Sequence, residues 1–141
     1  ALIFNSKAVV ERRGFRPKFS MSEILLVEDS QTQRELICDL LRNSGIKVTI
    51  ATDGVEALEH IQRANPDLVV LDIVMPRMNG YEVCRRLKSD PKTKNVPVVI
   101  CSLKGEVFDR YWAMKIGADA YIVKPFEPIE FIYTIKQLLR G

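Results

Sequence analysis

The stretch NPDLVVLDIVMPRMNG, residues 65–80, decides the fold. Asn65-Pro66-Asp67 is turn chemistry, since all three residue types favour tight turns. Residues 68–71 form an unbroken apolar run, as expected of a strand covered on both faces of a parallel sheet. Asp72 ends that run, and Met75-Pro76 and Asn79-Gly80 then break regular structure. A carboxylate placed there either caps the next helix or faces the crevice where open α/β sheets bind ligands. Both readings stand on this stretch alone.

The same plan repeats outward in both directions. Residues 24–27, ILLV, read as a strand that ends in Glu28-Asp29, and residues 48–51 as a second. Residues 96–101 read as the fourth strand, with Ser102 at its end, and residues 120–123 as the fifth, followed by Lys124-Pro125. Helical periodicity fills the gaps. Ser30 and Gln33 have capping-box spacing, Leu36, Ile37, Leu40 and Leu41 share one face, and Gly45 suits the stop. Asp53 with Glu56 opens the next helix, with Val55, Leu58 and Ile61 inward. Residues 81–89 turn Val83, Cys84 and Leu87 inward, and Asp90-Pro91 ends them. Residues 106–116 form a helix closed by Gly117, and Phe131, Ile132, Ile135, Leu138 and Leu139 stripe the last one. Five β-then-α units predict an α/β fold: one doubly wound five-stranded parallel sheet with helices on both faces and right-handed crossovers.

A chain of 141 residues, 47% hydrophobic and 28% charged, suits one domain with a real core. No apolar run approaches the roughly 20 residues of a membrane span. Cys38, Cys84 and Cys101 are odd in number and widely spaced in apolar surroundings, which predicts reduced core thiols and a cytoplasmic protein. The lone histidine, His60, argues against a zinc site or paired-histidine catalysis. The net charge of +3 is concentrated at one end: residues 1–20 hold five of the 21 basic residues and one of the 18 acids. The remainder, with 16 basic and 17 acidic residues, gives no footprint for nucleic acid. Residues 1–20 read as an N-terminal extension, a cloning remnant or linker, and 21–141 as the domain.

The strand ends carry Glu28, Asp29, Asp72, Ser102 and Lys124, and in a parallel sheet all of these lie along one edge. Three clustered carboxylates repel one another unless a cation sits among them. Hard oxygen ligands suit Mg2+, which accepts one or two carboxylates and keeps several waters. A lysine and a serine hydroxyl add donors for phosphoryl oxygens. Together these are the parts of phosphoryl transfer: a carboxylate nucleophile, a metal and donors for the equatorial oxygens.

Glu28-Asp29, Asp72 through Met75-Pro76 with Asn79-Gly80, Ser102, and Lys124-Pro125 closely resemble the receiver domain of two-component response regulators, the CheY-like family, over about residues 22–140. The resemblance implies the flavodoxin-like strand order 2-1-3-4-5. It implies that Asp72 accepts a phosphoryl group from a histidine kinase or phosphotransfer protein. It also implies that Asp29, Asp72 and the backbone carbonyl of Val74 bind Mg2+, or Mn2+, with Glu28 acting mainly through water. Ser102 and Lys124 would grip the phosphoryl oxygens, and Tyr121 matches the switch aromatic that turns inward as Ser102 moves. The Lys124-Pro125 bond is typically cis in the family. The output surface, formed in the family by the fourth helix, fifth strand and fifth helix, would include Tyr111, Trp112, Lys115, Tyr121 and parts of residues 126–137, with at most one of Tyr111 and Trp112 pointing squarely at the core.

The resemblance thus implies a signalling switch rather than an enzyme, a monomer or weak dimer without direct nucleic-acid or membrane contact. A stand-alone regulator, of a chemotaxis-like or motility system for instance, is the first expectation. A receiver cut from a larger transcription factor, hybrid kinase or output enzyme is the alternative. An aspartyl-nucleophile phosphatase would want a second Asp where Val74 stands, and a flavodoxin-like cofactor binder would want glycine where the acidic loop 28–31 stands.

Overall fold

Each of the five apolar runs becomes a strand of one parallel sheet. The strands are β1 (Glu23–Val27), β2 (Lys47–Ala51), β3 (Leu68–Leu71), β4 (Val98–Ser102) and β5 (Ala120–Val123). They alternate with helices α1 (Gln31–Asn43), α2 (Gly54–Arg63), α3 (Gly80–Ser89), α4 (Val107–Lys115) and α5 (Pro128–Arg140). The computed structural model describes residues 22–141, so the extension expected over residues 1–20 lies outside the described residues. The sheet order is β2-β1-β3-β4-β5 with every pairing parallel, as the resemblance implies.

Successive strand residues point to opposite faces, and the core divides accordingly. Leu25, Val27, Val69, Leu71, Val98 and Ile100 pack with Ala57, Ile61, Val83, Cys84, Leu87 and Ala113. Ile24, Leu26, Leu68, Val70, Val99 and Cys101 pack with Ile37, Leu41, Phe131 and Ile135. Both faces are therefore covered, and β3 is buried throughout. The three cysteines are buried and unpaired, and burial pushes the Cys101 thiol up to about 12.

Several expectations shift when packed. Leu36 was expected on the inner face of α1 but is 48% exposed, and Cys38 is buried in its place beside Ile37 and Leu41. The inner stripe is narrow because α1 rests on the sheet and on α5. Strand β4 starts at Val98, not at 96. Pro97 has no N–H to give a ladder, and the Val96 N–H instead closes a turn on the Thr93 carbonyl (2.9 Å). The capping box of α1 is also only half as expected. Ser30 Oγ accepts from the Gln33 N–H (3.4 Å), but the Ser30 N–H goes to Glu28 Oε2 (3.2 Å).

The loop between β3 and α3 is held at two points. The Gly80 N–H donates to the Ile73 carbonyl (2.8 Å), and a Cβ at Gly80 would run into the Asp72 carbonyl and Leu71. Arg77 adopts a left-handed φ of 68°, uncommon for a non-glycine residue. Its guanidinium grips Asp53 with two hydrogen bonds of 2.8 and 3.0 Å. Asp53 is itself the N-cap of α2, accepting from the Glu56 N–H (2.8 Å). The hydrogen bonds from Arg77 first, then that from Glu56, hold the Asp53 carboxyl below its usual range.

Alanine in place of a helical glycine normally stabilises by about 1 kcal/mol. Gly80→Ala is expected to do the opposite, costing on the order of 1–3 kcal/mol by overpacking against the Asp72 backbone, read as a lower urea midpoint. The Asp53 clasp carries a pH signature. A carboxyl whose folded pKa lies below its unfolded one contributes fully at neutral pH and loses that contribution as pH falls through the folded value. Asp53→Asn, which can still cap α2, should therefore lower the urea midpoint at neutral pH and lower it less at about pH 3. An equal loss at both would contradict a charged clasp.

Candidate phosphoacceptor and metal site

Parallel register carries the site residues to one edge. Val27 lies opposite Leu71, Leu71 opposite Ile100, and Ser102 opposite Val123. Each of the next residues is tied to its neighbour. The Asp72 N–H donates to the Val27 carbonyl (3.1 Å), the Glu28 N–H to Ala51 (3.1 Å) and the Lys124 N–H to Ser102 (2.8 Å).

Glu28, Asp29 and Asp72 converge, one carboxylate oxygen from each lying within 4.8 Å of the others. Glu28 is buried, Asp72 half-buried and Asp29 exposed, so the cluster opens toward solvent on one side. Lys124 reaches in from β5, its side chain only 4% exposed. Its Nζ lies 2.6 Å from Glu28 Oε1 and 3.6 Å from Asp72 Oδ2. Burial acts to lower the lysine's pKa, but the Glu28 hydrogen bond and the charges of Asp72 and Glu28 outweigh it, and the ammonium sits above its ordinary value. Asp72 Oδ1 accepts from the Ile73 N–H (2.7 Å).

Three carboxylates against one ammonium leave two negative charges gathered at an opening. Hard oxygen donors with that residual charge fit a small divalent cation such as Mg2+ or Mn2+. The Lys124-Pro125 bond is cis.

The other expected residues fall as follows. Ser102 is buried, and its Oγ accepts from the Lys104 N–H (3.3 Å). Tyr121 is half-buried, and its hydroxyl donates outward to the Lys104 carbonyl (2.5 Å). Val74 lies in the loop after β3, with its side chain exposed. Tyr111 and Trp112 are 60% and 42% exposed, so neither points squarely inward. Lys115 Nζ sits 6.0 Å from the Tyr111 ring centroid, and Phe108 stacks parallel to Trp112.

Three features escaped the sequence reading because each depends on side chains meeting across the fold. Arg34 donates to the backbone carbonyls of Glu28 and Asp29. Arg77 clasps Asp53. Asp109 is buried on α4, where the Tyr81 hydroxyl donates to its carboxylate and its carbonyl (3.3 Å each). Burial first, then the Asp109 charge, pushes the Tyr81 phenol up to about 12.

Residues 24–136 match the family pattern of the response regulator receiver domain. Over 123 residues the chain is 39% identical to a protein of Cyanophora paradoxa named "Probable transcriptional regulator ycf27", covering 87% of this chain and 50% of that one. The chain thus spans about half the length of the curated relatives it matches. The signal receiver domain of a signal transduction histidine kinase from Syntrophus aciditrophicus superimposes with a TM-score of 0.80 at 35% identity, covering 85% of this chain and 91% of that one. The receiver domain of a sensor histidine kinase from Pseudomonas aeruginosa, solved with a magnesium ion coordinated in the active site cleft, gives 0.79 at 28% identity, covering 85% and 98%. Sequence pattern, strand order and the acidic cluster agree, and the chain belongs to the response regulator receiver domain family.

Proposed function

We propose that the chain is a phosphorylation-controlled switch in which Asp72 accepts the phosphoryl group. The observation that carries this reading is the convergence of Glu28, Asp29 and Asp72 on a buried, charged Lys124. An Asp72 carboxylate oxygen attacks the phosphorus of a phosphohistidine on a histidine kinase or phosphotransfer protein. The P–N bond breaks as the P–O bond forms, the imidazole nitrogen takes a proton from water, and Asp72 becomes an acyl phosphate. Hydrolysis later returns the carboxylate and inorganic phosphate.

Glu28 has one oxygen on Lys124 and the other on the Ser30 N–H, which favours Asp29, Asp72 and the Val74 carbonyl as the direct ligands of a cation, with Glu28 acting through water. Bound there, Mg2+ or Mn2+ supplies charge neutralisation for the phosphoryl oxygens. Lys124 and Ser102 donate to the remaining oxygens.

Lys104 links that step to the surface. Its N–H is held by Ser102 and its carbonyl holds the Tyr121 hydroxyl. Rotation of Ser102 toward a phosphoryl oxygen releases the first contact, loosens the second, and lets Tyr121 turn inward. Hydrogen bonds to a charged group are worth about 1.5–3 kcal/mol each. Two of them, from Ser102 and Lys124, supply much of the roughly 5.5 kcal/mol needed to carry a two-state equilibrium from 1:99 to 99:1. The output surface is that of α4, β5 and α5, with Tyr111, Trp112, Lys115 and Tyr121 as its partner contacts.

The likeness to a transcriptional regulator about twice the matched length favours a receiver coupled to a transcriptional output over a stand-alone, chemotaxis-like one. In either setting the phosphoryl donor places the switch in the cytoplasm. Among the described residues no helix is long and apolar enough to cross a membrane.

Incubation with acetyl phosphate and Mg2+ should add the mass of one phosphoryl group. Asp72→Asn should abolish that gain, and chelating the metal should slow it severely. A gain that persists in the variant would rule out Asp72 as acceptor.

A further inference from the structure

We propose that Arg34 is a positioning residue for the acidic loop, holding the backbone of Glu28 and Asp29 so that their carboxylates can share one cation with Asp72. The inference rests on the function proposed above.

The backbone sets the need. The sheet ladder ends at the Glu28 N–H, which still reaches the Ala51 carbonyl. Beyond it, the carbonyls of Glu28 and Asp29 have no strand to accept from, and the partly buried Glu28 carbonyl needs a donor. Arg34 supplies it. Its Nη1 donates to the Glu28 carbonyl at 3.0 Å and to the Asp29 carbonyl at 2.9 Å. Arg34 is in turn fixed by the first turn of α1, where its N–H donates to the Ser30 carbonyl (2.9 Å). One side chain thus ties both acidic residues of the loop to the helix that follows. Asp29, exposed to solvent and pushed by two neighbouring carboxylates, has the most freedom to lose.

Two effects of this side chain oppose each other, so the sign of the outcome is informative. As a positive charge near a cation site, the guanidinium repels the metal, and its removal should by charge alone tighten binding. As a brace on the loop, its removal should weaken binding, because the ligands are no longer held together. The double contact to adjacent carbonyls points to the brace.

Calorimetric titration with Mn2+ tests this on the native chain, Arg34→Met and Arg34→Lys, each with a urea midpoint. Arg34→Met is expected to bind Mn2+ about tenfold more weakly, the lower end for a group that orients metal ligands from outside. Arg34→Lys keeps the charge but shortens the side chain and loses the planar Nη1 that reaches both carbonyls, and should also weaken binding, by about threefold or more on the same grounds. The half-saturating Mg2+ for acetyl-phosphate labelling should rise in parallel, while the rate at saturating metal stays within about twofold. A lower urea midpoint with unchanged metal affinity would overturn the proposal in favour of a structural role, as would tighter binding in Arg34→Met. Should Arg34→Met fail to fold, Arg34→Lys decides by the same criterion. A native chain that takes up no Mn2+ would instead bring down the phosphoacceptor reading, and this inference with it.

Discussion

The site depends on one buried ammonium. Lys124 lies 2.6 Å from Glu28 and 3.6 Å from Asp72, almost without solvent. Carboxylates gathered this closely repel one another, and its positive charge offsets part of that repulsion. A pair of this kind is not retained for stability alone. Replacing a buried ion pair by well-packed apolar groups is often neutral or favourable, whereas removing one partner costs about 3–5 kcal/mol. What Lys124 provides is a positive charge between Glu28 and Asp72, and a donor beside the Asp72 carboxylate for the role proposed above.

The fold holds that arrangement on one side and leaves a sparsely anchored helix on the other. The loop after β3 is pinned by Gly80 against the Asp72 backbone and by Arg77 on the cap of α2. Opposite this rigid side, α4 buries only Asp109 and Ala113 and turns most of its aromatic surface to solvent. Its buried carboxylate is bonded to Tyr81 in the first turn of α3, just past the loop that follows β3. A helix with few apolar anchors has low local stability, which suits the output surface proposed above.

Much of this was legible in the sequence, for physical reasons. Apolar runs of four or five residues ending in an acid, a serine or a lysine gave the strands and placed Glu28, Asp29, Asp72, Ser102 and Lys124 on one edge, because parallel strands leave no other arrangement. The strand order came from the family resemblance rather than from periodicity. Errors arose where packing overrode composition. Leu36 matched an apolar face, yet the stripe of α1 that touches the sheet and α5 is too narrow for it. Pro97 cut β4 short for want of an N–H. Arg34, Arg77 and Asp109 carried no local signal at all, since a guanidinium or carboxylate on a helix or in a loop reads as a solvated charge until its partner is brought beside it.

Charge balance is what the proposed function turns on: the acidic side chains that follow β1 and β3, partly offset by Lys124, would form one divalent-cation site that includes the proposed acceptor, Asp72. Diffraction at an energy where manganese scatters anomalously, from crystals of this chain grown with Mn2+, tests it most directly. A single strong anomalous peak bonded to Asp29 and Asp72, with Glu28 nearby and Lys124 on the opposite side of Asp72, is the predicted result. Fully occupied manganese elsewhere on the molecule, with none among these three carboxylates, would contradict the account.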